Sequence, residues 1–207
     1  LMTDLVDLLL SENLLEGSIP DDIENLTSLQ VLALDGNQLT GGLHPVFMLS
    51  NLEQLFLGFN SLGSALSNTS FERMTNLRIL AMNNNKLSGP LPDALWALTN
   101  LQVVDFHFND LDGHIHDITE EHPLLYLDVS ENFLGGGLPA SINQMKKLTH
   151  LDVSSNRFEK LLPNDLGSLT NMETLMLSDN DMFGPQAIPD WLKGMTKLRH
   201  LSLKLTD

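Results

Sequence analysis

Leu52-Glu53-Gln54-Leu55-Phe56-Leu57-Gly58-Phe59-Asn60-Ser61-Leu62 sets apolar residues at its first, fourth, sixth and eleventh places and an asparagine at its ninth. The same pattern begins again at Leu5, Leu29, Leu77, Leu101, Leu124, Leu148 and Met172, and a partial ninth copy begins at Leu198. Successive copies start 23 to 26 residues apart. The asparagine recurs in all eight complete copies, as Asn13, Asn37, Asn60, Asn85, Asn109, Asn132, Asn156 and Asn180, and the residue two places on is apolar every time. A fixed period of this length marks an array of stacked structural units, and the 45 leucines among 207 residues follow from it.

The second half of each unit adds a G-x-[IL]-P-x-x-[IL]-x-x-[LM] pattern. Clean copies are Gly17–Ile19–Pro20–Ile23–Leu26, Gly89–Leu91–Pro92–Leu95–Leu98 and Gly136–Leu138–Pro139–Ile142–Met145. With these residues in place, the chain resembles the plant-type leucine-rich-repeat proteins, the class that includes receptor-kinase ectodomains and polygalacturonase-inhibiting proteins. The match runs from about residue 5 to 205. We read residues 1–207 as one repeat domain.

The residue types have physical reasons. In a strand L-x-L, the leucines point inward and the x residues outward. The asparagine amide has two donors and an acceptor with which to hold the turn that follows. The resemblance implies that these amides bond to their own and the neighbouring coil, as a ladder. The proline fixes φ and has no N–H to leave unpaired. Apolar residues three apart suit a 3₁₀ turn, where i and i+3 eclipse. The expected fold is an α/β-type repeat solenoid, a horseshoe with one parallel concave β-sheet of nine strands and a convex side of 3₁₀ turns and loops. Strands about 4.8 Å apart make it roughly 40 Å long. The resemblance also implies a second small sheet near the Gly-x-Leu segments.

Three units depart from the pattern. The Leu52 unit has Ser64 for glycine and a longer back half without proline. The Leu101 unit has His116 for proline and a polar run from Asp117 to Pro123. The Met172 unit shifts by two through Gly184–Pro185–Gln186–Ala187–Ile188–Pro189. These changes are expected in convex loops. His44 stands at a proline position and Lys160 at a glycine position. Neither Leu1–Asp4 nor Leu203–Asp207 reads as a polar cap, which is expected of a piece of a longer array.

Composition narrows the function classes. The chain has 27 acidic and 11 basic residues and a net charge of −16, so nucleic acid is an unsuitable partner. No apolar run is long enough to span a membrane. There is no cysteine for a disulfide or a thiolate. No nucleophile elbow, phosphate loop or H-E-x-x-H motif is present, which points away from an enzyme, and no cofactor is called for. His107, His114, His116 and His122 share one unit but lack ligand spacing; they read as solvated loop histidines, and no metal set is expected. Asn25 and Asn68 begin glycosylation sequons on the convex side and give weak support to an extracellular or cell-surface location.

Binding is therefore expected on the outward strand positions, a rigid regular array. Phe56, Ile79, Val103, Tyr126 and His150 fall there, with Phe59 and Phe108 beside the asparagine turn. Asp105, Asp128 and Asp152 hold one offset in three consecutive units. Stacked carboxylates disfavour each other's ionisation, so the middle one is expected to have the most raised pKa. This column favours a basic protein or peptide ligand, with the aromatic strip as its apolar anchor. The second reading is a structural or adhesive surface protein that binds carbohydrate or calcium through its acidic face.

Overall fold

The computed structural model describes residues 2–182 and 189–204. Most of the shifted Met172 segment, Gly184 to Ile188, lies outside the described residues, as does the terminus from residue 205.

Nine three-residue strands form one parallel sheet in chain order: Asp7–Leu9, Val31–Ala33, Gln54–Phe56, Ile79–Ala81, Val103–Asp105, Tyr126–Asp128, His150–Asp152, Thr174–Met176 and His200–Ser202. The register is that of the repeat, with Val103, Tyr126, His150 and Thr174 side by side. The central residue of each interior strand is buried, for example Leu55, Leu80, Val104 and Leu127 at 0% exposure. The strand period thus delivers a continuous leucine core and leaves alternate side chains on the concave face.

Opposite the sheet, 3₁₀ turns run Asp21–Asn25, Val46–Met48, Asp93–Ala97, Ala140–Gln144, Asn164–Ser168 and Asp190–Gly194. A proline with φ between −70° and −59° precedes every one of them. Its locked φ and missing N–H suit a helix start. In the Leu29 unit Pro45 takes this place, one residue after His44, and its turn is only three residues long. Short parallel strands beside the sheet pair Glu16–Ser18, Gln38–Gly41 and Ser61–Leu62, then Ser88–Pro90 with Asp110–Asp112, and Gly135–Gly136 with Arg157–Phe158. Gly17 and Gly89 lie at φ +80°, the left-handed region that explains glycine at this point.

Two departures take definite forms. The long Leu52 unit folds one α-helical turn, Asn68–Phe71, with Phe71 fully buried against Phe47. The Leu101 unit has no 3₁₀ turn. Ile115, Ile118 and His122 fill its core, each 2% exposed. His122 is thus a core residue and not the solvated loop histidine that the sequence suggests.

The asparagines form the expected ladder. Asn109 Nδ2 donates to Met82 O of the preceding coil and Phe106 O of its own, both at 3.0 Å, and its Oδ1 accepts the Leu87 N–H at 3.0 Å. Asn37, Asn60, Asn85, Asn132, Asn156 and Asn180 repeat this geometry. Asn13 is exposed and bonds only to Leu10 O and Ser11 O within its own coil. A second ladder escaped the sequence reading: Asn51, Asn76, Asn100 and Asn171, next to the first apolar residue of their units, donate to Thr27 O, Ser50 O, Thr75 O and Lys146 O.

Candidate functional site

The sheet brings Asp105, Asp128 and Asp152 into direct register on the three strands Val103–Asp105, Tyr126–Asp128 and His150–Asp152. Their environments differ. Asp128 is buried, 8% exposed, and its Oδ1 accepts the Ser130 N–H at 2.9 Å and the Ser130 hydroxyl at 2.7 Å. Asp152 is held in the same way by Ser154. Asp105 instead faces His107, whose Nδ1 lies 2.7 Å from its Oδ1. Burial raises the Asp105 pKa, against the lowering influence of His107 and with a smaller upward contribution from Asp128. At Asp105, at one end of the column, burial outweighs repulsion between carboxylates.

Aromatic and imidazole rings frame the carboxylates. Tyr126 stacks on His150 with ring centroids 4.2 Å apart and an interplanar angle of 9°. Its hydroxyl donates to Asp128 Oδ2 at 3.3 Å. Burial, Asp128 and Asp105 together push the phenol pKa upward. His107 Nδ1 also lies 3.9 Å from Asp128 Oδ2, and Asn84 Nδ2 is 2.8 Å from His107 Nε2. With that amide as donor, Nε2 accepts and Nδ1 carries the proton towards Asp105. No lysine or arginine among the described residues pairs with the column; its single ion-pair partner there is His107.

Phe56, Ile79 and Val103 are half-buried on the same face. Phe59 and Phe108 are 60% and 57% exposed. They sit just before the ladder asparagine, where Glu12, Asn84, Glu131, Ser155 and Asp179 share their positive φ of 52° to 55°. That conformation turns the phenylalanines out of the core rim. Phe133, which the sequence reading passed over, stands 43% exposed beneath the Arg157 guanidinium. With Phe108 and Lys86 it lines a groove of about 480 Å³ along the turn edge. Its outward place next to a ladder asparagine was the available signal. Another apolar groove, of about 540 Å³, opens between Leu8, Leu15, Ile19 and Leu39 at the first coil's uncovered core, away from the aspartates.

Other candidates lie elsewhere. His116 pairs with Asp93 and packs edge-on against His114, outside the concave sheet. Asn68 is exposed at the start of its helical turn, and Asn25 is half-buried with its amide on Asp22 O. Among the described residues, no helix is long and apolar enough to cross a membrane.

Family models described as leucine rich repeat match residues 50–111, and residues 4–26 and 147–169. The chain is 30% identical over 165 residues to Receptor-like protein 39 of Arabidopsis thaliana, a stretch covering 78% of this chain and 18% of that protein. It therefore spans about a fifth of that relative's length. Among solved structures, the Arabidopsis receptor kinase HAESA ectodomain in complex with an N-terminally extended IDA peptide hormone superposes with a TM-score of 0.84 at 28% identity, over 90% of this chain and 31% of that one. A plant ice-binding protein superposes with a TM-score of 0.82 at 26% identity, over 96% and 65%.

Proposed function

Because the chain belongs to the plant-type leucine-rich-repeat proteins, we propose that it is a non-catalytic recognition domain that captures a protein or peptide ligand on its concave face, at the cell surface or outside the cell. The observation that carries this reading is the in-register aspartate column without a lysine or arginine partner among the described residues, flanked by Tyr126, Val103 and the exposed Phe108. A lysine or arginine from the ligand fits the carboxylates, and an apolar side chain fits the aromatic edge. Exposed aromatics grouped in this way mark interaction surfaces. The peptide-hormone complex formed by a structural relative supports this class of ligand.

The fold alone does not decide the matter, since the ice-binding relative has a similar solenoid. A random peptide library selected on the wild-type protein tests the site. Enriched peptides are expected to combine lysine or arginine with apolar residues and to bind more weakly as salt rises. Asp128→Asn should flatten that salt dependence. Phe108→Ala should weaken binding with little change in slope. Wild-type affinity in both variants, with loss in His116→Ala, would move the site off the concave face. Calcium-dependent binding that tolerates every single change would favour the adhesive reading.

A further inference from the structure

Asp128 belongs to two overlapping sets of metal-ligating groups: Asp105–His107–Asp128 and Asp128–His150–Asp152. In each, one donor atom per residue lies within 4.8 Å of the others. We infer that the concave centre binds one divalent transition-metal ion of the zinc class, centred on Asp128 and completed by an imidazole from the neighbouring coil. This inference does not rest on ligand capture: the ion would occupy carboxylates that a ligand's basic side chain would otherwise meet, and its test is run without peptide.

The donor atoms of the first set lie close enough for one ion to reach all three. A tetrahedral zinc with bonds of about 2.0 Å separates its ligand atoms by about 3.3 Å. His107 Nδ1 lies 2.7 Å from Asp105 Oδ1 and 3.9 Å from Asp128 Oδ2, on either side of that value. A small rotation of the carboxylates equalises the distances. Ser130 already fixes Asp128 through Oδ1; Oδ2 lies on the His107 side, where it also accepts the Tyr126 hydroxyl at 3.3 Å. Such outer hydrogen bonds orient metal-ligating carboxylates.

Loading the site is a proton exchange. The ion replaces the proton on His107 Nδ1, and a proton sits on Nε2 instead. The Asn84 amide turns over so that its oxygen accepts from Nε2, since an amide offers both a donor and an acceptor end. In the second set, His150 is half-buried and its ring stacks on Tyr126, while its Nε2 is shut off from water without a hydrogen-bond partner. Buried polar nitrogens are rarely left unpaired, and ligation is one way to satisfy them. Imidazole with carboxylate selects zinc, cobalt, nickel or copper over calcium. Among the described residues, histidine is the one cationic side chain type paired with these three carboxylates, which leaves room for the ion's charge.

Cobalt(II) is the probe, because its visible absorption reports nitrogen and oxygen ligation directly. Titration of the folded wild-type protein should give a saturating band at one equivalent, displaced by zinc and not by a tenfold excess of calcium. Asp128→Asn should weaken cobalt binding at least about tenfold, as should His107→Ala or His150→Ala, the weaker of the two marking the ligating coil. His116→Ala should bind as wild type. Circular dichroism without metal separates lost ligation from lost fold, and His107→Ala serves where Asp128→Asn unfolds. No band up to millimolar cobalt, unchanged binding in both histidine variants, or displacement by calcium would each overturn the site.

Discussion

Replacing Asn109 by alanine removes one rung from the middle of the ladder, and the structure shows which groups then go unpaired. Phe106 O keeps a partner, because Asn132 Nδ2 also donates to it at 3.0 Å. Met82 O keeps one in Asn85 Nδ2 at 3.2 Å. The Leu87 N–H has Asn109 Oδ1 as its acceptor, and Leu87 is 0% exposed. His107 O, 3.4 Å from the amide, keeps the Asn84 N–H at 2.8 Å, so one buried donor is orphaned, not four groups, and the expected cost is about 1–3 kcal/mol. Asn13→Ala removes the same side chain where it is exposed and bonds only within its own coil, so it should cost no more than ~1 kcal/mol. The Lys147→Ala surface change should stay within about 0.5 kcal/mol. Urea titration followed by circular dichroism ranks the three. Equal midpoints for Asn109→Ala and Asn13→Ala would refute a stabilising contact between coils.

Phe108→Gly relieves a left-handed backbone that costs an L-residue about 1–2 kcal/mol, set against about 0.5–1 kcal/mol for glycine's extra freedom. A protein equally stable or up to ~1.5 kcal/mol more stable in urea, yet poorer at capturing the selected peptides, would mark Phe108 as retained for binding; clear destabilisation would make it structural. Burial lowers the His122 pKa, so below about 6.5 the unfolded chain takes up a proton that the native state resists, and stability should fall as pH falls. His122→Leu should flatten thermal stability between about pH 6.5 and 5, and an unchanged slope would show that another group governs it. In the second ladder, Asn100→Ala should cost no more than ~1 kcal/mol by urea titration, because its amide is exposed and makes one bond to Thr75 O.

The features written in the sequence are those that depend on a period. The strand positions, the asparagine ladder, the stacked aspartates and the prolines that open the convex turns all follow from register. What register leaves open is how side chains choose partners once coils stack. Ser130 and Ser154 stand two residues beyond their aspartates, a repeated spacing that hinted at the hydrogen bonds holding Asp128 and Asp152. His107 occupies that same place in the preceding coil and meets Asp105 with a ring nitrogen rather than a hydroxyl, in an orientation that also depends on Asn84. Burial of His122 was illegible for another reason. The polar run around it suggests a solvated loop, yet after Ile115 and Ile118 the next place at spacing three is the exposed Glu121, and His122 supplies the bulk instead, edge-on to Trp96. The left-handed residues before each ladder asparagine have no common side-chain type, so composition alone does not reveal them.

Carboxyl footprinting with a selected basic peptide tests concave capture most directly. Carbodiimide labelling of Asp105 and Asp152, both only partly buried in the free protein, should fall on binding, while exposed Asp112 and Asp165 outside the concave sheet keep their labelling. Protection of Asp112 or Asp165 with Asp105 and Asp152 unchanged would contradict a concave site.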